Sequence, residues 1–158
     1  MNTLQIDKIL QQCSITRKYY LGCFPSDAIP PCTLFPCTFI LNFDPSVLGG
    51  SHWISVFVKS PQVVYYFDPL AIPFPPQNIT TFLSKFKYVH RNKFRYQSLT
   101  SNICGKYAIV FIYYMSKHLD FNNFINLDSV KNCDQLIIKF AVKFILSVSY
   151  NKAYLNKI

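Results

Sequence analysis

Apolar residues recur along this chain with two different periods, and the alternation between them marks out its elements. Thr3 to about Gln12 reads as a first helix, with Leu4, Ile9 and Leu10 available for one face. From Gly22 to Pro36 the prolines Pro25, Pro30, Pro31 and Pro36 break any periodicity, so an irregular arm across the surface is expected. Thr38–Asn42 suits a short strand, and Asp44-Pro45-Ser46 with Gly49-Gly50 suits a loop. His52–Lys59 and Val63–Asp68 are rich in β-branched and aromatic residues. Ser60-Pro61-Gln62 supplies a turn between them, which predicts an antiparallel hairpin. A proline-rich loop, Pro69 to Pro76, leads to a helix expected from about Asn78 to Lys87 and a third strand near Phe94 to Leu99. Lys106 to His118 is apolar nearly all round, the mark of a helix at the centre of a domain. Ser101 or Asn102 is available to cap its start, and Lys117 and His118 suit its negative end. The last segment, Asp134 to about Tyr150, places Ile137, Phe140, Ala141, Phe144, Ile145 and Val148 at helical spacing. No internal repeat is present, and the order of elements predicts an α+β fold.

Length fits one domain over residues 1–158, large enough to bury about 70% of its unfolded surface. Only 15% of residues are charged, yet sixteen Lys+Arg against seven Asp+Glu leave a formal net charge of +9. Such a field attracts nucleic acid, acidic proteins or anionic surfaces. Its densest run is Lys85, Lys87, Arg91, Lys93 and Arg95, the candidate DNA-binding residues; a solvated basic face is the other reading. The N-terminal residues lack a basic region followed by an apolar run. The longest apolar stretch, Leu136 to Tyr150, is broken by Lys139 and Lys143 and falls short of the roughly 20 residues of a membrane span. The expectation is an intracellular protein in a reducing compartment, with no membrane partner and six reduced cysteines. Cys32 and Cys37 have the look of half a metal knuckle, but no second Cys/His pair lies at ligand spacing, and no metal is expected. His90 and His118 are expected at the surface.

Among the six cysteines, Cys104 is the informative one. It stands at the start of the most apolar helix, where free N–H groups and the helix dipole favour a thiolate. Gly105 beside it leaves room for a substrate backbone. Alone, such a Cys is more often an inert core residue. His52 opens one hairpin strand and Asp68 closes the next, which brings both to the same end of the hairpin. There a carboxylate can hold the imidazole tautomer and stabilise the imidazolium. Gln97, upstream of Cys104, offers an amide to an oxyanion together with the Cys104 N–H. Taken together these four residues favour catalysis over the inert reading.

Gly49-Gly-Ser-His-Trp53, Tyr66-Phe-Asp-Pro69, Gln97 and Asn102-Ile-Cys-Gly105 resemble the adenovirus protease (adenain) group and the related SUMO-deconjugating proteases. They are most similar to the adenain-like proteases of Maverick/Polinton elements and related viruses, where a phrase resembling Tyr20-Leu-Gly-Cys-Phe-Pro-Ser-Asp27 precedes the His-Trp strand. The likeness runs from about Tyr20 to Met115. It implies a small mixed sheet packed on a buried central helix that carries the nucleophile, and a thiol endopeptidase with Cys104, His52, Asp68 and Gln97 as its catalytic set. Adenain itself has Glu at the position of Asp68. The resemblance further implies Trp53 as a wall of the substrate cleft, Gly49 and Gly50 at its border, and cleavage next to glycine. No cofactor is required for the chemistry, while DNA or an activating peptide is the family's means of stimulation. Implied partners are viral structural precursor polypeptides, in the host nucleus or virion, acted on by a monomer. Two alternatives are a deconjugase of ubiquitin-like modifiers and an inactive basic protein that binds nucleic acid or capsid.

Overall fold

A computed structural model describes residues 1–125 and 133–155. Helix α1 (Thr3–Gln12) is followed by a 3-10 turn at Thr16–Lys18 and strands β1 (Tyr20–Phe24), β2 (Cys37–Asn42), β3 (Trp53–Ser60) and β4 (Val63–Phe67). Helix α2 (Gln77–Leu83), strand β5 (Tyr88–Arg91) and helices α3 (Cys104–His118), α4 (Phe121–Ile125) and α5 (Cys133–Leu155) complete it. The sheet runs in chain order, β1-β2-β3-β4-β5. Its three central strands are antiparallel, and each edge strand lies parallel to its neighbour. This is the mixed sheet and α+β class that the chain's patterning and resemblance implied.

Alternation along the central strands sends successive side chains to opposite faces. Ile40, Phe57 and Phe67 face α3, packing with Tyr107, Phe111 and Ile112 and with Ile6 and Leu10 of α1. Phe39, Leu41, Ile54, Val56, Val58, Val64 and Tyr66 face the other way, onto Ile79 and Phe82 of α2. A sheet covered on both faces explains why β2 is buried at every position. Each large side chain fully buried in this way contributes roughly 1.5–3 kcal/mol. On the α3 side Phe67 and Phe111 stack 5.1 Å apart, so the central helix is seated on the strand that ends at Asp68.

Several expectations are corrected. The arm from Gly22 is not irregular at its start: Tyr20–Phe24 is strand β1, and Gly22 at φ +137° marks a bulge that hides the alternation. The strand after α2 is Tyr88–Arg91, not Phe94–Leu99. The latter segment bends instead, because the N–H groups of Tyr96 and Gln97 both donate to the Pro69 carbonyl. Helix α2 ends at Leu83 rather than near Lys87. In α1 the inward residues are Ile6 and Leu10, while Leu4 is exposed; Asn2 and Gln5 close a capping box at its start. In α5 the buried stripe is Ile137, Ala141, Phe144 and Val148; Phe140 is turned out. Neither Ser101 nor Asn102 caps α3, which has Ile103 at its N-cap with no side-chain bond.

Candidate active site

Three elements converge on one point. The β3–β4 register pairs Ser55 with Phe67, so His52, just before β3, and Asp68, just after β4, sit at the same end of the hairpin. Cys104 is the first residue of α3, which lies across β3. His52 Nε2 is 2.7 Å from Asp68 Oδ1, and both side chains are buried. With Nε2 committed to the carboxylate, Nδ1 is the nitrogen left for the thiol, and His52 and Cys104 each favour the charged form of the other. The ring of Phe43 meets the imidazole edge to face at 4.9 Å and fixes its plane.

Asp68 is fully buried, and both of its carboxylate oxygens are engaged. Leu70 N–H donates to Oδ1 and Ile72 N–H to Oδ2, each at 2.8 Å. Between them Ala71 adopts the left-handed φ of 50°, which turns both amides toward the carboxylate. Asn92, also buried, holds the Asp68 backbone from both sides: its Oδ1 accepts from Asp68 N–H at 3.0 Å, and its Nδ2 donates to Asp68 O at 2.7 Å. Sequence reasoning missed Asn92, because a lone Asn after a strand carries no distinguishing signal.

The electrostatics follow from these contacts. Burial pushes the His52 pKa down, but the hydrogen bonds to Asp68 and Cys104 and their charges outweigh it, raising it to about 9. Burial pushes the Cys104 thiol up. The bond to His52, the backbone of Trp53, the imidazolium charge and the backbone of Gly105 together bring it below the ordinary thiol value. Such an arrangement favours the thiolate–imidazolium pair over the neutral thiol and imidazole.

Gln97 is buried in the loop before α3 and donates from Nε2 to Ser101 O at 2.7 Å. It lies in irregular chain rather than at a strand end, and its Oε1 has no partner among the described residues. Trp53, Gly49 and Gly50 line one groove of about 370 Å³ with Met1, Asn2, Leu48 and Asn42. At Gly105 a Cβ would lie 3.4 Å from Ile6 and 3.5 Å from Met1 and Trp53, so that side of the glycine is occupied by protein. Gly50 has φ +84°, and a Cβ there would come within 2.8 Å of Asn42 Nδ2. Asn42 cannot readily move, since its Oδ1 accepts from both Asp44 N–H and Ser51 N–H. Gly50→Ala is therefore expected to destabilise the fold by about 1–3 kcal/mol, read as a lower urea midpoint. An unchanged midpoint would show that the loop relaxes freely.

The five cations are not brought into one cluster of equivalent groups. Lys85, Lys87, Lys93 and Arg95 are exposed. Arg91 instead donates to Ile72 O at 2.9 Å and lies over the Tyr66 ring, bracing the loop that wraps Asp68. His90 and His118 are at the surface, the first stacked on Tyr65 and the second tilted against Tyr114.

Compared by sequence, the chain matches no family model and no curated protein. Compared by structure, it matches several solved proteins. Two crystal structures of the ASFV protease align with TM-scores of 0.63 and 0.60, at 19% and 18% identity over 89% of this chain. They cover 65% and 66% of the viral chains, so this chain spans just under two thirds of their length. The central domain of a Legionella pneumophila protein aligns at 0.58, with 12% identity and 94% and 97% of the two chains covered. ChlaDub1 of Chlamydia trachomatis aligns at 0.52, with 15% identity over 92% of this chain and 78% of its own. In fold, the chain stands with the ASFV protease and ChlaDub1, as its resemblance to the adenain and SUMO-deconjugating clan implied.

Proposed function

We propose that this chain is a cysteine endopeptidase in which Cys104 is the nucleophile, His52 the acid–base and Asp68 the residue that orients it. The observation that carries this reading is the buried His52–Asp68 pair, 2.7 Å apart, with Cys104 at the start of α3, the imidazole raised and the thiol lowered in pKa by their mutual influence. The thiolate attacks a peptide carbonyl, and His52 gives its proton to the leaving amine. Water activated by His52 then releases the acyl group from its thioester. Gln97 and the Cys104 N–H are the proposed oxyanion donors, a role worth about 2.7–4 kcal/mol per donor in such sites. Glycine beside the scissile bond is proposed on the resemblance of the motifs, with the groove lined by Trp53, Gly49 and Gly50 as the place for an extended substrate segment. Precursor proteins of a virus or virus-like transposon are the proposed substrates, on the resemblance of the motifs. DNA as a stimulating partner rests on the +9 charge and the exposed Lys85, Lys87, Lys93 and Arg95.

The test is the pH dependence of Cys104 chemistry. His52 carries its proton up to about pH 9, and the Cys104 thiolate forms below the ordinary thiol range, so the ion pair spans the interval between them. Alkylation of Cys104 by iodoacetamide should reach half its limiting rate at a lower pH than that of an ordinary thiol, about 8.5. Peptide cleavage should fall again above about pH 9, as the imidazolium proton needed by the leaving group is lost. A Cys104 that alkylates with the profile of an ordinary thiol would remove the basis of the proposal.

A further inference from the structure

The candidate substrate groove carries one charged side chain in its wall, and it is acidic in a chain of net charge +9. Met1 and Trp53 line this groove, and each lies 3.5 Å from where a Cβ on Gly105 would stand, so the groove reaches the residue next to Cys104. Asp44 lines the same groove, where Phe24, Pro25 and Leu48 supply apolar wall. Its main chain is held on both sides: its N–H donates to Asn42 Oδ1 at 2.9 Å, and its carbonyl accepts from Ser26 N–H at 3.1 Å. The half-buried Asp44 carboxylate has no hydrogen-bond or ion-pair partner among the described residues, where the one ion pair is His52–Asp68. A second carboxylate stands at the rim. Asp27 accepts from Ser46 N–H and Oγ at 2.9 and 2.8 Å, and Ser46 lines the groove. Those bonds lower the Asp27 pKa, so it stays ionised. Lys85 shares a neighbouring cavity with Asp27 but does not line the groove, and the α-amino group of Met1 pairs with neither carboxylate.

We propose that Asp44 is a specificity-determining residue of this groove, selecting a lysine or arginine at one position of the extended substrate segment. The inference rests on the peptidase reading for its substrate. A basic side chain suits these walls along its whole length: the methylene stem lies on Phe24, Pro25 and Leu48, and the charged head reaches Asp44. Asp44 pairs with nothing in the free protein, so no internal contact has to break before it takes up a substrate cation. An acidic side chain at the same position meets Asp44, with Asp27 at the rim, and is repelled, so the site selects by rejection as well as by attraction. The overall field of the protein works the other way, since a net charge of +9 disfavours basic peptides in general. The preference is therefore for a basic residue at one place in the segment, not for basic segments as such. It is expected to reach about fivefold in affinity, the upper range for an ion pair that is partly open to water.

The test uses glycine-containing peptides in which a single lysine is moved along the segment, so that all carry the same net charge and feel the same overall field. Their affinities for the chain carrying Cys104→Ala are measured by fluorescence anisotropy, and their cleavage by the parent chain is measured separately. One lysine position should bind about fivefold more tightly than the others, and glutamate placed there should bind more weakly than glutamine. Asp44→Asn keeps both main-chain bonds of residue 44, a thermal melt checks its fold, and it should erase the difference among the isomers. Asp44→Lys should reverse the preference, favouring glutamate at that position. Absent or equal binding of all isomers, or a preferred position that both Asp44 variants leave unchanged, would overturn the proposal. A preferred position that depends on Asp44, in a parent chain that cleaves none of the peptides, would support the selectivity of the groove and overturn the peptidase reading alone.

Discussion

Cys104→Ala should abolish peptide cleavage, lowering kcat by about four orders of magnitude or more, because members of a coupled catalytic set fail together. The fold should survive. Cys104 is buried at the helix start, and an alanine there loses one sulfur without leaving a charged group unpaired; the Asp68–His52 bond remains. The measurement is a single-turnover assay on a glycine-containing peptide, beside a thermal melt of the same preparation. Cleavage persisting at a tenth of the parent rate, in a chain that melts normally, would assign the chemistry to another residue. His52, relieved of the thiolate, should also titrate below its parent value, since two of its raising contacts come from Cys104.

Asp68→Asn is the second large effect, and it separates orientation from nucleophilicity. All the acceptor contacts of the Asp68 carboxylate face donors: His52 Nε2, Leu70 N–H and Ile72 N–H. An amide must point its NH2 at one of them. If it turns toward Ile72, a buried donor meets a donor, at a cost of about 1–3 kcal/mol in stability. If it turns toward His52, the imidazole is driven into the wrong tautomer, and kcat should fall by about 10⁴. Removing the carboxylate also removes the main influence that raises His52, so its pKa should move down from about 9 toward the ordinary histidine value. The imidazolium then becomes scarcer at neutral pH, and the thiolate loses its counter-charge. NMR titration of His52 and the alkylation rate of Cys104 report the two halves separately. A His52 pKa unchanged by Asp68→Asn would show that Asp68 serves only to hold the loop.

The parts of this site that are legible in the sequence are those with extreme local patterns. Two strands with β-branched and aromatic residues and a short turn between them predict a hairpin, and a hairpin places its two outer ends together whatever the rest of the fold does. That is why His52 and Asp68 can be paired from sequence alone. The helix from Cys104 is apolar on nearly every face, and only a central position satisfies such a surface. What the patterning misplaces is decided by tertiary contacts. Phe94–Leu99 has the composition of a strand, but the Pro69 carbonyl and the Asn92 side chain claim its backbone and its entry. β1 is hidden by the Gly22 bulge, and β5 by a basic composition that suits an edge strand better than a core one. Asn92 and Asn42 are ordinary residues in the sequence, and only their positions against Asp68 and Gly50 give them a role. Arg91 illustrates the reverse error: its charge groups it with the neighbouring lysines, yet it is committed to a carbonyl.

The hairpin origin of the acid–base pair has a consequence for how the site assembles. His52 and Asp68 are 16 residues apart, and a short-range turn brings them together. The nucleophile arrives by a different route, through contacts such as Ser55 Oγ to Ala108 O that close 53 residues of chain. Closing the longer loop costs more entropy, which favours pairing of the hairpin first. A chain with β3 and β4 paired but α3 not yet docked thus has its proton relay in place and its sulfur elsewhere. The peptidase activity proposed for this chain therefore waits on the longer closure, and a chain arrested before α3 docks should be inactive even with its hairpin formed.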